Sequence, residues 1–262
     1  MIVVTSVMQT AVSWLAALSY AALALGHARM SALPRRWLAI GAWLLHALAL
    51  LLMWLQPEPR LGFAVAISIT MWLATTVYAV EVRLLPELRV HWAMALLAAL
   101  AVLLAWWFPG KPHTGLSTFL APLHSALGFA SYALLGMAAL HGWQMQRAER
   151  AMRDAQPTSG DLPLLALERL TFRFLHLGFA LLSATLVVGI GFSESLFGVA
   201  WRADHKTLLS VLGWVVFATL IVGRAALGWR GRVAMRMLYG GLTLLVLGYI
   251  GSRFVLEVLL QR

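Results

Sequence analysis

"WRADHKTLLSVLGWVVFATLIVGR", residues 201–224, gathers Arg202, Asp204, His205 and Lys206 into one polar knot and then runs almost wholly apolar to Gly223 before closing on Arg224. A run of close to 20 apolar residues spans a ~30 Å hydrocarbon core when coiled as an α-helix. The pattern recurs along the chain, at about 3–26, 37–55, 61–80, 91–108, 122–143, 172–192, 206–223 and 236–258. Of the 262 residues, 61% are hydrophobic and only 11% charged, whereas a soluble domain is about a quarter charged. Backbone polar groups in lipid must be satisfied within the segment, and the ten-residue alternation of a barrel is absent, so the runs are expected to be helices. The expected fold is an all-α polytopic transmembrane bundle of about eight helices.

The first run lacks a basic n-region and is longer than a typical signal-peptide core, so it reads as a retained helix, with cleavage near residue 24 as the lesser alternative. A net charge of +10 suits nucleic acid in the abstract. Here the cations lie in short loops between spans, where they orient the chain, and nucleic acid is not an expected partner. Fourteen of the twenty lysines and arginines fall in alternate loops, within 29–36, 83–89, 147–173 and 224–236. The opposite side has Arg60, Lys111, Arg202, Lys206, Arg253 and Arg262. The rich side is therefore read as cytoplasmic, both termini as periplasmic, and the location as a bacterial cytoplasmic (inner) membrane, with lipid as the surrounding partner.

There are no cysteines, which excludes thiol relays, thiolate ligation and disulfides. No GxGxxG, P-loop, HExxH or GxSxG pattern supports nucleotide binding or hydrolysis. The loops are short, leaving no room for an extramembrane domain. The cytoplasmic stretch 146–173 reads as a charged extension of the fifth helix, a break at Pro157 to Gly160, and an amphipathic restart at Leu162. The stretch 191–206 mixes aromatic residues with Glu194 and Asp204 and suits an interfacial segment. Trp54, Trp106, Trp107, Trp201 and Trp229 fall near span ends, where an aromatic belt explains them without a ligand.

The histidines carry the chemistry. His27, His91 and His141 lie at the cytoplasmic ends of spans one, four and five and read as interfacial polar residues. His113 lies in an external loop. His46 is ~15 Å inside span two at 1.5 Å per residue, a depth that is costly unless the ring faces the bundle interior and finds a partner. His176 sits just inside span six, where a structural hydrogen bond and ligation explain it equally well.

His124 and His205 each stand in the first turn of an inward-running span, so two separate segments offer imidazole at one depth. Two such rings are the ligand pair of a b-type haem. His124, Gly128 and Ser131 share a face at i, i+4 and i+7, leaving either a groove for a flat ligand or a surface for plain helix packing. Asp204 is suited to accept the second N–H of His205, and Arg202 and Lys206 to meet haem propionates. Two polar helix caps explain the same pair without a metal.

The stretch 201–224, the stretch "GWRGRVAMRMLYGGLTLLVLGYIGSRFV" (228–255) and "LHSALGFASYALL" (123–135) resemble the cytochrome c assembly membrane proteins of the CcsA, CcmC and CcmF types, and most nearly the shorter YpjD/HemX-type branch. The resemblance implies a division into an N-terminal four-helix part (1–110) and a cytochrome c assembly-like four-helix part (111–262). It implies haem handling, with His124 matching the external ligand position and Trp201 and Asp204 falling on the family's tryptophan-rich motif. His205 stands where that motif has proline, and "VGR" (222–224) lacks the histidine that larger relatives carry. A thioether synthetase activity is therefore not expected.

The leading expectation is a non-enzymatic protein that holds b-type haem near the outer face through His124 and His205. Asp204, Lys206, Arg202, Trp201, His176 and His46 complete the cofactor-binding candidates, and cytochrome c assembly proteins or another membrane protein are the expected partners. The alternative is an accessory or scaffold protein that docks to a transporter or assembly partner through 146–173. A transporter is a third reading, weaker because Arg253 and Glu257 read as an i, i+4 structural pair.

Overall fold

The computed structural model describes residues 2–26, 29–56, 60–84, 91–110, 120–154, 163–193 and 205–259. Their helices are α1 (Ile2–Gly26), α2 (Ala32–Trp54), α3 (Phe63–Leu84), α4 (His91–Trp107), α5 (Leu120–Arg153), α6 (Leu164–Gly191), α7 (His205–Leu227) and α8 (Gly231–Val246). The last continues through a π-helical segment (Leu247–Gly251), a short α turn (Ser252–Phe254) and a second π-helical segment (Val255–Leu259). No β-strand occurs among the described residues. The chain is a helical membrane protein: seven of its helices are long and apolar enough to cross a bilayer. The fourth, at 17 residues, is about 26 Å long at 1.5 Å per residue, a little under the ~30 Å hydrocarbon core.

One expected boundary moves. The amphipathic restart after Gly160 and the sixth span are one helix, α6, 28 residues long. Leu167, Leu170, Thr171, Phe174, Leu175 and Gly178 are buried at helical spacing straight through the supposed junction. With no proline inside and a continuous apolar stripe, nothing breaks the helix there. The charged extension of the fifth helix is as read, since α5 runs on to Arg153.

The helices form two compact units, α1 to α4 and α5 to α8. In the first, α1 packs on α2 and α4, and α4 on α3. The seams are built from small side chains: Ala16 and Ala17 with Val102, and Ala42 with Ala98 and Ala99, all buried. Lipid is as apolar as leucine, so close backbone approach and interhelical hydrogen bonds hold spans together. Trp106 accordingly donates its Nε1–H to Thr10 Oγ1 at 3.2 Å and meets Trp14 edge-on.

In the second unit the α5–α6 seam is the most extensive. Ser131, fully buried, donates to the Gly178 carbonyl at 3.1 Å. A Cβ at position 178 would come 2.8 Å from Leu135 Cγ and 3.2 Å from the Leu135 backbone nitrogen. Trp214 joins α7 to α6, donating to Ser183 Oγ at 2.8 Å while stacking on Phe179. Tyr132 joins α5 to α8 through a 3.0 Å bond to the Leu245 carbonyl.

The prediction is that Gly178→Ala destabilises the second unit by about 1–3 kcal/mol through overpacking. A thermal melt of the detergent-solubilised protein should show the loss, and an unchanged melt would contradict the close α5–α6 approach.

Candidate functional site

His124, the fifth residue of α5, meets the last turns of α6. Its Nδ1 is 3.2 Å from the Thr185 carbonyl oxygen. A carbonyl only accepts, so Nδ1 is the donor, and in the neutral ring the lone pair belongs to Nε2. Gly189, one turn beyond Thr185, makes room for the ring. A Cβ there would come 2.8 Å from His124 Cε1 and 3.3 Å from Nδ1. The backbone of α6 thus sets both the tautomer and the seat of this imidazole, the function that a partner beyond the metal serves for a ligating histidine.

His205 is the first residue of α7 and is exposed. Its neighbour Lys206 lies within electrostatic reach of the His124 ring. The Lys206 ammonium sits 5.2 Å from the centroid of the Tyr249 ring, over its face. Tyr249 belongs to the first π-helical segment, and its ring is 6.2 Å from that of Tyr132. These contacts bring the starts of α5 and α7 to the same end of the unit as the end of α8. Interruptions of this kind in a helix recur at functional sites. Trp201, Arg202 and Asp204 lie outside the described residues.

Of the two uses open to Gly128 and Ser131, the helix-packing one is observed. Ser131 bonds to α6, and a Cβ on Gly128 would touch the Thr185 methyl at 3.7 Å. That face of α5 is covered by α6 and is not an open groove.

His46 is fully buried in the first unit, with Nε2 2.9 Å from Ser68 Oγ and its ring edge-on to Tyr20. It therefore faces the interior. Among the described residues its Nδ1 has no hydrogen-bond partner. His176 bonds through Nδ1 to the Phe172 carbonyl of its own helix at 2.5 Å and is exposed. His141, expected at an interface, is instead fully buried, stacked on Phe174 and bonded to Gln144 at 2.9 Å. The charged tail of α5 extends the helix past it, so position 141 belongs to the packed α5–α6 seam. Among the described residues no group of three or more His, Asp or Glu side chains converges on a metal position.

Sequence reasoning passed over Thr185 and Gly189, the α6 positions that receive His124. Their signal was present as a polar and a small residue four apart in "SATLVVGIG" (183–191). A further check concerns His46. Ser68→Ala removes its hydrogen-bond partner and should cost about 1–3 kcal/mol for a buried group left unpaired. Loss of thermal stability in Ser68→Ala, with recovery in a His46→Phe/Ser68→Ala double variant, is the expected result. No loss in the single variant would contradict the contact.

Comparison with known proteins matches residues 30–260 to the family described as cytochrome C assembly protein. The chain is similar to an uncharacterized 28.8 kDa protein of Azospirillum brasilense, 39% identical over 141 residues, which cover 53% of this chain and 52% of that one. It is similar to the inner membrane protein YpjD of Escherichia coli, 31% identical over 144 residues, 52% of each chain. It is similar also to the cytochrome c biogenesis protein CcsA of Synechocystis, 29% identical over 85 residues, 32% of this chain and 25% of that one. The match spans about half the length of the first two relatives. No solved structure matches.

Proposed function

The chain belongs to the cytochrome C assembly protein family, and from that premise we propose that it is a non-enzymatic haem-handling membrane protein. In this reading it holds a b-type haem through His124 and His205 and assists cytochrome c assembly or haem delivery. Support from the family is at the level of the name: the relative from Synechocystis is named for cytochrome c biogenesis.

The observation that carries the reading is the His124 ring. Its Nδ1–H is committed to the Thr185 carbonyl, so in the neutral ring Nε2 carries the lone pair that a haem iron would take. His205, exposed at the start of α7, is the proposed second ligand, with Asp204 accepting its other N–H. Lys206, Arg202 and Trp201 are proposed to receive the propionates and the porphyrin edge. His176 and His46, each with one ring nitrogen already held, are the remaining cofactor-binding candidates, and the segment 111–262 is the proposed haem-handling part. When bound, the haem supplies the iron chemistry; the chain supplies ligation, a dry seam and charge. The arginine-rich loops face the cytoplasm in this reading, both termini face the periplasm, and the bundle lies in the inner membrane, in line with the name of the Escherichia coli relative.

A second reading is favoured by the closure of α6 over Gly128 and Ser131. It holds that the chain is a non-catalytic accessory protein that docks to a transporter or assembly partner through 146–173. Haem content separates the two.

Protein purified from haem-replete cells should show a Soret band, and the His124→Ala/His205→Ala variant should lose at least nine-tenths of it at equal protein. His124→Gly should regain it with added imidazole. A colourless preparation, or a band indifferent to both substitutions, would reject the haem reading and leave the accessory one.

A further inference from the structure

His205 opens α7, so its imidazole goes where the first turn of that helix goes. α7 is seated more extensively on α8 and its π-helical turn Leu247–Gly251 than on α6. The seat is Gly248, which is buried. A Cβ there would come 3.0 Å from Leu209 Cβ, 3.4 Å from the Lys206 carbonyl oxygen and 3.6 Å from the Ser210 nitrogen. Two of those three atoms are backbone, so the helices meet main chain to main chain through the one residue type that lacks a side chain. Close approach of this kind is what holds spans together in lipid. Main chain also yields less than a side chain, which can change rotamer.

The next residue adds a second hold. Tyr249 presents its ring face to the Lys206 ammonium, 5.2 Å from the centroid. The ring's quadrupole attracts the cation, so Tyr249 holds the residue directly after His205.

The same turn is tied to the helix that bears His124. Tyr132 follows His124 by about 12 Å along α5, at 1.5 Å per residue. Its hydroxyl donates to the Leu245 carbonyl at 3.0 Å, just ahead of the π-helical turn, and its ring lies 6.2 Å from that of Tyr249. An α-helical ladder joins each N–H to the fourth carbonyl back, whereas in a π turn it reaches the fifth. The Ser252 amide accordingly bonds the Leu247 carbonyl. The Ser252 hydroxyl covers two further carbonyls of the turn, those of Gly248 at 2.6 Å and Tyr249 at 3.2 Å. Side-chain donors thus finish the irregular turn, Tyr132 before it and Ser252 after it.

We propose that the π-helical turn of α8 positions His205 relative to His124. The contacts run from α5 through Tyr132 to α8, and from Gly248 and Tyr249 to the first turn of α7. Gly248 and Tyr249 are positioning residues, acting through the placement of α7. That the two rings then meet one haem rests on the reading above; the placement itself does not.

The chain has no cysteine, so two introduced ones carry spin labels at chosen places. Labels at Ala126→Cys on α5 and Leu208→Cys on α7, both exposed positions, report the separation of the two helix starts by double electron–electron resonance on the full chain. Tyr249→Leu removes the ring face and Tyr132→Phe removes the bond from α5 to α8; each should at least double the width of the distance distribution. Gly248→Ala should displace its mean, because the Lys206 carbonyl cannot turn aside. Tyr249→Phe keeps the face and should leave the distribution unchanged. Haem-loaded protein gives a second readout. Tyr249→Leu should keep its Soret band through His124 while at least half of the iron passes from low spin to high spin, and added imidazole should restore low spin. A loss of packing alone would lower the melting temperature without that rescue. Distances indifferent to Tyr249→Leu, Tyr132→Phe and Gly248→Ala overturn the proposal whatever the haem content, and so do widened distances with the iron still wholly low-spin. A colourless or wholly high-spin unsubstituted protein counts against the haem reading alone, and the distances then decide the proposal.

Discussion

A polar group inside a lipid-spanning bundle must find its partner within the bundle, and the bond from His124 to the Thr185 carbonyl is where that constraint turns into chemistry. The α6 carbonyl is already engaged in its own helix, so it has one remaining lone pair to offer, and the imidazole takes it. That single bond settles which ring nitrogen bears the proton. Gly189 then decides where the ring can lie. If α6 were rotated by one residue, neither condition would hold, so the α5–α6 seam and the histidine are one arrangement. Ser131 and Gly178 lock the seam two turns further in.

Membrane spans are legible in sequence because the bilayer imposes one length and one polarity on every helix. The eight apolar runs therefore correspond to eight helices, with shifts of a few residues where polar caps extend them. Local stops are less legible. The α6 boundary differs because the apolar run alone marks the sixth span from about 172, while the stripe from Leu167 to Gly178 joins the amphipathic segment before it to the span as a single helix. At the site, His124 and His205 stood out as polar residues near the starts of their spans. What receives them did not, because Thr185 and Gly189 are ordinary in a membrane helix and acquire meaning only when α6 lies beside α5. His141 failed for a related reason: a charged helical tail carries the bundle past the point where the apolar run ends.

The second unit has two ends of different character. One gathers His124, Lys206, Tyr132 and Tyr249 around the π-helical part of α8. The other gathers Glu168, Arg224 and Arg230 around Phe172. The first suits an imidazole donor, and the second is held by ion pairs. In the first unit His46 is a different case, with Ser68 as its hydrogen-bond partner and Tyr20 edge-on against its ring. A lone imidazole so deep costs stability unless it is paired, and Ser68 supplies that pairing from the facing helix.

The most direct measurement of the central claim is the ¹⁵N spectrum of the protein with labelled histidine, with His124 assigned by its absence in His124→Gln. The account predicts a neutral His124 ring protonated at Nδ1, with Nε2 at the shift of an unprotonated nitrogen in haem-free protein and displaced on addition of haem. A ring protonated at Nε2 alone would contradict it, because the α6 carbonyl would then have no donor at Nδ1 and the nitrogen offered to iron would be blocked.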